Sequence, residues 1–285
     1  MTDDNNDLTG RRNKKGTDLR SIKTPKPFLQ LIEGARELAL PRNAAEKAQD
    51  LIYEAWDADT YAKRVALAEK ALEIYPDCAD AYVMLAEETA DHLFEAIELY
   101  RKGVEAGMRT IGKRHFDDIK GHFWGHIETR PYMRAKAGLA GCLWEGGHFE
   151  EALNHYREML ELNPSDNQGI RYIIAGCLLY LGLEDELEKL LDKYDEVSCE
   201  WLYTKALFAF MKHGDAIDSL GFLRNAIKAN MFVPIYLLNR KEMPEILPDM
   251  YSFGSEDEAV VYVERNGSIW RKIKGSLVWL ASHSK

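Results

Sequence analysis

Apolar residues recur at intervals of three and four from about residue 28 to residue 240, the spacing of one helical face, and strict apolar–polar alternation is almost absent. The pattern predicts a succession of amphipathic helices and no sheet. Short interruptions cut it at Pro41, Pro76-Asp77, Gly107, Gly146-Gly147, Asn163-Pro164, Gly182, Gly214 and Pro234. Glycine tolerates the left-handed backbone that closes a helix, and proline lacks the amide hydrogen that continues one. The intervals predict helices of roughly 12 to 16 residues. Residues 1–27 differ: they are polar, cluster Arg11, Arg12, Lys14 and Lys15, and end at Pro25 and Pro27. They read as a disordered or loosely docked arm.

The interruptions are themselves periodic, near the spacing of the tetratricopeptide repeat, a pair of antiparallel helices of about 34 residues. Residues 133–166 fit that repeat best. Leu139 and Ala140 form the large–small pair of the first helix, with Leu143 a turn later. Gly147 makes the turn, Phe149, Ala152 and Tyr156 belong to the second helix, and Pro164 ends it. The small residues let two helices approach while Leu143 and Tyr156 fill the space beside them. Further repeats are read over 45–78 (Leu51, Ala55, Ala71), 79–107 (Tyr82, Leu85, Ala86, Ala96), 167–199 (Ile173, Ile174, Cys177) and 200–234 (Tyr203, Ala206, Leu223, Ala226). A single repeat cannot bury its own apolar face, so several must stack.

The expected fold is therefore all-α: a tetratricopeptide-like helical-hairpin solenoid, a right-handed superhelix, over residues 28–240. Residues 108–132 form an insertion ahead of the best repeat. Residues 241–285 form a C-terminal capping hairpin. In it, Ser255 to Glu258 read as a capping box opening a helix through about Arg265, Asn266-Gly267 as the turn, and Trp270, Ile273, Leu277 and Leu280 as the apolar face of a second helix.

Charge and composition narrow the function. The chain of 285 residues has 47 acidic against 37 basic residues and a formal net charge of −10, which argues against a nucleic-acid partner. No run approaches the roughly 18 to 20 apolar residues of a membrane span, and the N-terminus is not a secretory signal. Cys78, Cys142, Cys177 and Cys199 lack any CxxC pairing and read as small buried residues in a reducing compartment. A cytoplasmic protein with no membrane association is expected.

Several runs resemble the suppressor of tumorigenicity seven family: Phe123 to Ala135 (FWGHIETRPYMRA), Leu162 to Tyr172 (LNPSDNQGIRY), Val233 to Leu238 (VPIYLL), and the C-terminal Glu258-Ala259, Trp270 and Gly275-Ser276-Leu277. The resemblance covers roughly residues 120–280. It implies a helical repeat domain without established catalytic chemistry. Animal members carry membrane segments ahead of this region, and this chain is expected to resemble a soluble relative without them.

Two constellations carry candidate chemistry. Arg130, Arg134, Trp144, Asn167, Gln168 and Arg171 fall at or beside positions that face the concave groove in such repeats. Two arginines and two amides grip a carboxylate or phosphate well. The competing reading is internal pairing, for example of Arg134 or Arg171 with Glu128 or Asp166. The second constellation is histidine-rich: His115, His122, His126, His148 and His155. On a continuous helix His122 and His126 share a face, with Asp118 a turn earlier, which is metal-ligand spacing. The same helix would hold His115 about 16 Å from His126. Packing and hydrogen bonding are the commoner roles for such histidines, so no metal or cofactor is assigned.

No phosphate loop, nucleophile elbow or dinucleotide motif is present in the sequence. The function expected is a non-catalytic scaffold that takes a peptide or helix of a protein partner in its groove. The alternative is a metal- or small-ligand-dependent activity centred on residues 115–134.

Overall fold

The computed structural model describes residues 43–194 and 196–284. The arm expected over 1–27 and the first residues of the expected array lie outside them. All regular secondary structure among the described residues is helical. The helices are α1 (Ala44–Trp56), α2 (Tyr61–Ile74), α3 (Ala79–Thr89), α4 (Leu93–Ile111), α5 (Lys113–Asp118), α6 (Arg130–Glu145), α7 (Phe149–Leu162), α8 (Ile170–Leu181), α9 (Glu184–Lys193), α10 (Cys199–His213), α11 (Ile217–Ala229), α12 (Val233–Leu237), α13 (Glu256–Lys272) and α14 (Ser276–His283). Two single 3-10 turns, Phe123–Gly125 and Ile127–Thr129, join α5 to α6.

Sequence chemistry sets many of these ends. Asn43 caps α1 through a reciprocal box with Glu46. Thr60 and Ser198 accept the third-residue amides of α2 and α10. Pro131 occupies the first turn of α6, where its missing amide hydrogen costs nothing. Gly182 closes α8 in the left-handed conformation, φ 71°.

Consecutive helices pair as antiparallel hairpins: α1–α2, α3–α4, α6–α7, α8–α9 and α10–α11. The hairpins stack, so this is a helical-hairpin solenoid. Its core runs through the stack, from an alanine-rich end (Ala48, Ala55, Ala68, Ala71, Ala81) to an aromatic end (Trp201, Tyr203, Tyr262, Trp270, Trp279). Small residues allow a close crossing between α4 and α6. A Cβ added to Gly103 would meet the Ala135 Cβ at 3.1 Å, and one on Gly107 would meet the Tyr132 Cβ at 2.9 Å. Gly107 therefore does not end a helix, as its place among the breakers suggested. It lies inside α4, and its lack of a side chain brings α6 close.

Two further expectations change. Asn266-Gly267 make no turn: α13 runs through them to Lys272, and the reversal falls at Gly275, φ 88°. Asn266 faces inward, where its Nδ2 donates to Glu200 at 2.6 Å. The Glu258 side chain also does not return to the Ser255 amide, so the expected box is closed from one side only. Ser255 caps the Glu258 amide, while the Glu258 carboxylate accepts from the Gly254 amide (2.7 Å), Asn230 Nδ2 (2.9 Å) and the Cys199 amide (3.3 Å). That buried carboxylate ties α13 to α10 and to the end of α11. Trp279 of α14 stacks on Phe210 of α10 at 4.5 Å.

Candidate functional site

The first helices of the leading hairpins, α1, α3 and α6, lie side by side. Their shared face carries a polar network. Arg134, one turn into α6, donates through Nε to Asp80 Oδ1 at 2.8 Å and through its terminal nitrogen to Asp80 Oδ2. Asp80 also accepts from Gln49 Nε2 at 2.8 Å, and the guanidinium lies 5.0 Å from the centre of the Trp56 ring. Asp80 is fully buried and the Arg134 side chain is 15% exposed. Burial pushes the Arg134 guanidinium down; the Asp80 carboxylate outweighs it and holds the group above its ordinary value.

Arg171, near the start of α8, is enclosed in a similar way. It pairs with Asp166 at 2.7 Å and with Glu196, and donates to the Tyr172 hydroxyl at 2.8 Å. Its guanidinium lies 4.3 Å from the centre of the Tyr172 ring. Asp166 in turn accepts the Ile170 and Arg171 amides at 2.7 and 2.9 Å and is itself left-handed, φ 48°. Burial lowers the Arg171 guanidinium, and bonds to Glu196 and Asp166 more than offset it.

The other predicted site residues are less enclosed. Arg130 bonds the Trp124 carbonyl at 3.1 Å and lies over that ring at 5.0 Å. Trp144 is half-buried, edge-on to Phe149 (4.7 Å) and Tyr180 (5.4 Å). Asn167 is exposed. Gln168 stands out: its carboxamide nitrogen and oxygen are both buried without a hydrogen-bond partner among the described residues.

The histidine segment differs from the expected helix. α5 ends at Asp118, and the chain then doubles back through the two 3-10 turns. His115 and His126 come together with ring centres 5.8 Å apart, not the separation a straight helix would impose. Glu128 joins them and His122 does not. Burial raises the Glu128 carboxyl, but its own backbone amide and the two imidazoles outweigh that and hold it below its ordinary value.

The internal pairing weighed from the sequence is present for Arg171 with Asp166, whereas Arg134 meets Asp80 and not Glu128; sequence reasoning missed Asp80 and Glu196, the other carboxylates on the two arginines. Asp80 had a signal: when residues 79–107 are aligned on 133–166, it occupies the same second position as Arg134. Glu196 lies between helices and had none.

Stacked antiparallel hairpins with a polar network across their first helices define an all-helical repeat protein, a helical-hairpin solenoid of the tetratricopeptide-like type. The family model described as ST7 protein matches residues 40–283. The chain belongs to the ST7 family. It is 28% identical over 252 residues to suppressor of tumorigenicity 7 protein-like of Bos taurus, covering 80% of this chain and 45% of that protein. The human counterpart is 27% identical, with 80% and 43% covered. The protein ST7 homolog of Drosophila melanogaster is 25% identical, with 82% and 48% covered. The chain thus spans less than half the length of these relatives. Among solved structures it is similar to YrrB, a TPR protein with an unusual peptide-binding site, at 21% identity and a TM-score of 0.46, with 70% of this chain and 91% of that one covered. No described helix is long and apolar enough to cross a membrane.

Proposed function

We propose that this chain is a non-catalytic interaction module that takes an extended peptide or a helix of a partner protein on the face bearing Arg130, Arg134, Trp144, Asn167, Gln168 and Arg171. The observation that carries the reading is the Gln168 carboxamide. A buried polar group without a partner costs free energy, and natural proteins rarely leave one. A carboxamide offers one acceptor and two donors, the complement of a peptide unit. The segment presenting it is stiff, because Asp166 holds the start of α8 and Arg171 holds Asp166. In this reading the two buried arginines shape the face, the exposed Asn167 and the Trp144 edge make the contact, and the Gln168 carboxamide, buried in the unbound chain, turns outward to join them.

The test is selection of peptides from a displayed library on the wild-type chain. Their affinity is then compared with the Asn167→Ala, Gln168→Ala double variant by calorimetry. The expected result is binding weakened by about tenfold or more, roughly 1.4 kcal/mol, with an unchanged melting temperature. Peptides that bind both proteins alike would move the site off this face. A library that yields no binder would sink the reading.

A further inference from the structure

We propose that His115, His126 and Glu128 form a binding site for a divalent transition-metal ion of the zinc class. The pairwise distances motivate the assignment. His115 Nε2 and His126 Nδ1 each lie 3.5 Å from Glu128 Oε1, and the three candidate ligand atoms all fall within 4.8 Å of one another. A charge-assisted hydrogen bond between imidazolium and carboxylate is shorter, about 2.7 to 2.9 Å. Two ligands sharing a tetrahedral ion at about 2.0 to 2.1 Å stand about 3.3 Å apart. The two His–Glu128 separations are those of ligands around an ion rather than of closed ion pairs.

The donor set agrees. Two imidazoles and one carboxylate are a frequent ligand set for zinc where a fourth position stays open, and imidazole suits zinc, nickel, cobalt and copper over magnesium or calcium.

The backbone under the site is fixed before any ion arrives. The His115 carbonyl accepts the Ile119 amide at 3.1 Å. The His126 carbonyl accepts Thr129 Oγ1 at 2.8 Å, and Thr129 also bonds the Phe123 carbonyl. Next to His115, Phe116 packs edge-on to Phe123 at 4.7 Å and to Tyr132 at 5.6 Å. Those rings join α5, the 3-10 turns and α6. The three ligands therefore sit on one anchored patch, partly open to solvent, with side chains 46%, 38% and 54% exposed. That leaves room for water or an external ligand at the remaining positions.

The experiment is a titration of the tag-free chain with cobalt(II), read by visible absorption, and with zinc(II) in competition with a chelating dye. The set is wild type, His115→Ala, His126→Ala, Glu128→Gln and His122→Ala. One equivalent is expected to bind with the intense bands of a tetrahedral cobalt site. Each ligand variant should weaken binding by about tenfold or more, and His122→Ala should match wild type. Zinc should raise the melting temperature of wild type and of His122→Ala alone. Failure of the wild type to bind at micromolar metal overturns the proposal. So does equal binding by His115→Ala and wild type, or an equal loss in His122→Ala. Metal-free melting curves of all variants separate a lost site from a lost fold.

Discussion

Arg134 and Asp80, 54 positions apart, close a two-pronged ion pair that fastens α6 to α3. The carboxylate has no exposure to solvent, so neither partner can be removed without stranding the other. Arg134→Ala is expected to lower stability by about 3 kcal/mol, the cost of breaking a buried pair. Asp80→Asn should cost a comparable amount. Urea unfolding measures both. A loss below about 1 kcal/mol would mean that water screens the pair as it does at a surface.

The α4–α6 crossing should be intolerant of a single methyl group. A Cβ on Gly138 would stand 2.1 Å from the Tyr100 ring. Gly138→Ala is expected to destabilise by about 1 to 3 kcal/mol through overpacking. The same change in a Tyr100→Leu background should cost less, and a double-mutant cycle reads the difference. Equal costs in both backgrounds would mean that the helices part elsewhere.

Glu258 should hold the C-terminal helices in place. Its carboxylate is the shared acceptor for Asn230 Nδ2 and the Gly254 and Cys199 amides. Glu258→Ala strands the buried Cys199 amide and one of the two Asn230 Nδ2 hydrogens, the other staying on the Ser255 carbonyl, at a cost of about 3 kcal/mol. It should also speed proteolysis in the segment 239–255. Unchanged cleavage there would show that α13 docks by its apolar face alone.

Glu200 predicts a pH dependence. Burial raises its carboxyl, an effect that Arg265 and the Asn266 bond reduce without cancelling. The folded state then holds a proton that the unfolded chain has already released. Between the ordinary carboxylate value and the raised one, the native state binds more protons, so stability falls as pH rises, by at most about 1.4 kcal/mol per pH unit. Glu200→Gln should flatten that part of the curve and gain on wild type above it. Parallel curves for the two proteins would remove Glu200 as the source.

Much of the fold was legible in the sequence. The small–large pairs at Leu139-Ala140 and the close-packing Ala152 are buried as the repeat requires. Ser255 caps its helix, as its place ahead of Glu258 led one to expect. These are local features, set by periodicity of about 3.6 residues and by backbone preferences that each residue carries with it. Gly107 misled for the same reason, and Gly267, which sits within α13 beside Val263 and Arg271 of its own helix, misled as a turn residue that ends nothing. A glycine looks alike in sequence whether it ends a helix or lets two helices touch, and only the packed partner tells them apart.

The candidate chemistry was legible by residue type, and by partner only for the local pair of Arg171 with Asp166. The arginines of interest were visible, as was the density of histidines. Sequence alone determined an all-helical hairpin repeat and the polar residues available to its first helices. The tertiary structure decided that Asp80 meets Arg134, that Glu196 meets Arg171, and that His115 reaches His126 and Glu128 while His122 does not. Those pairings depend on how the hairpins stack and on where the chain doubles back after Asp118. Both follow from burying apolar surface contributed by distant segments, a requirement that no local stretch encodes by itself.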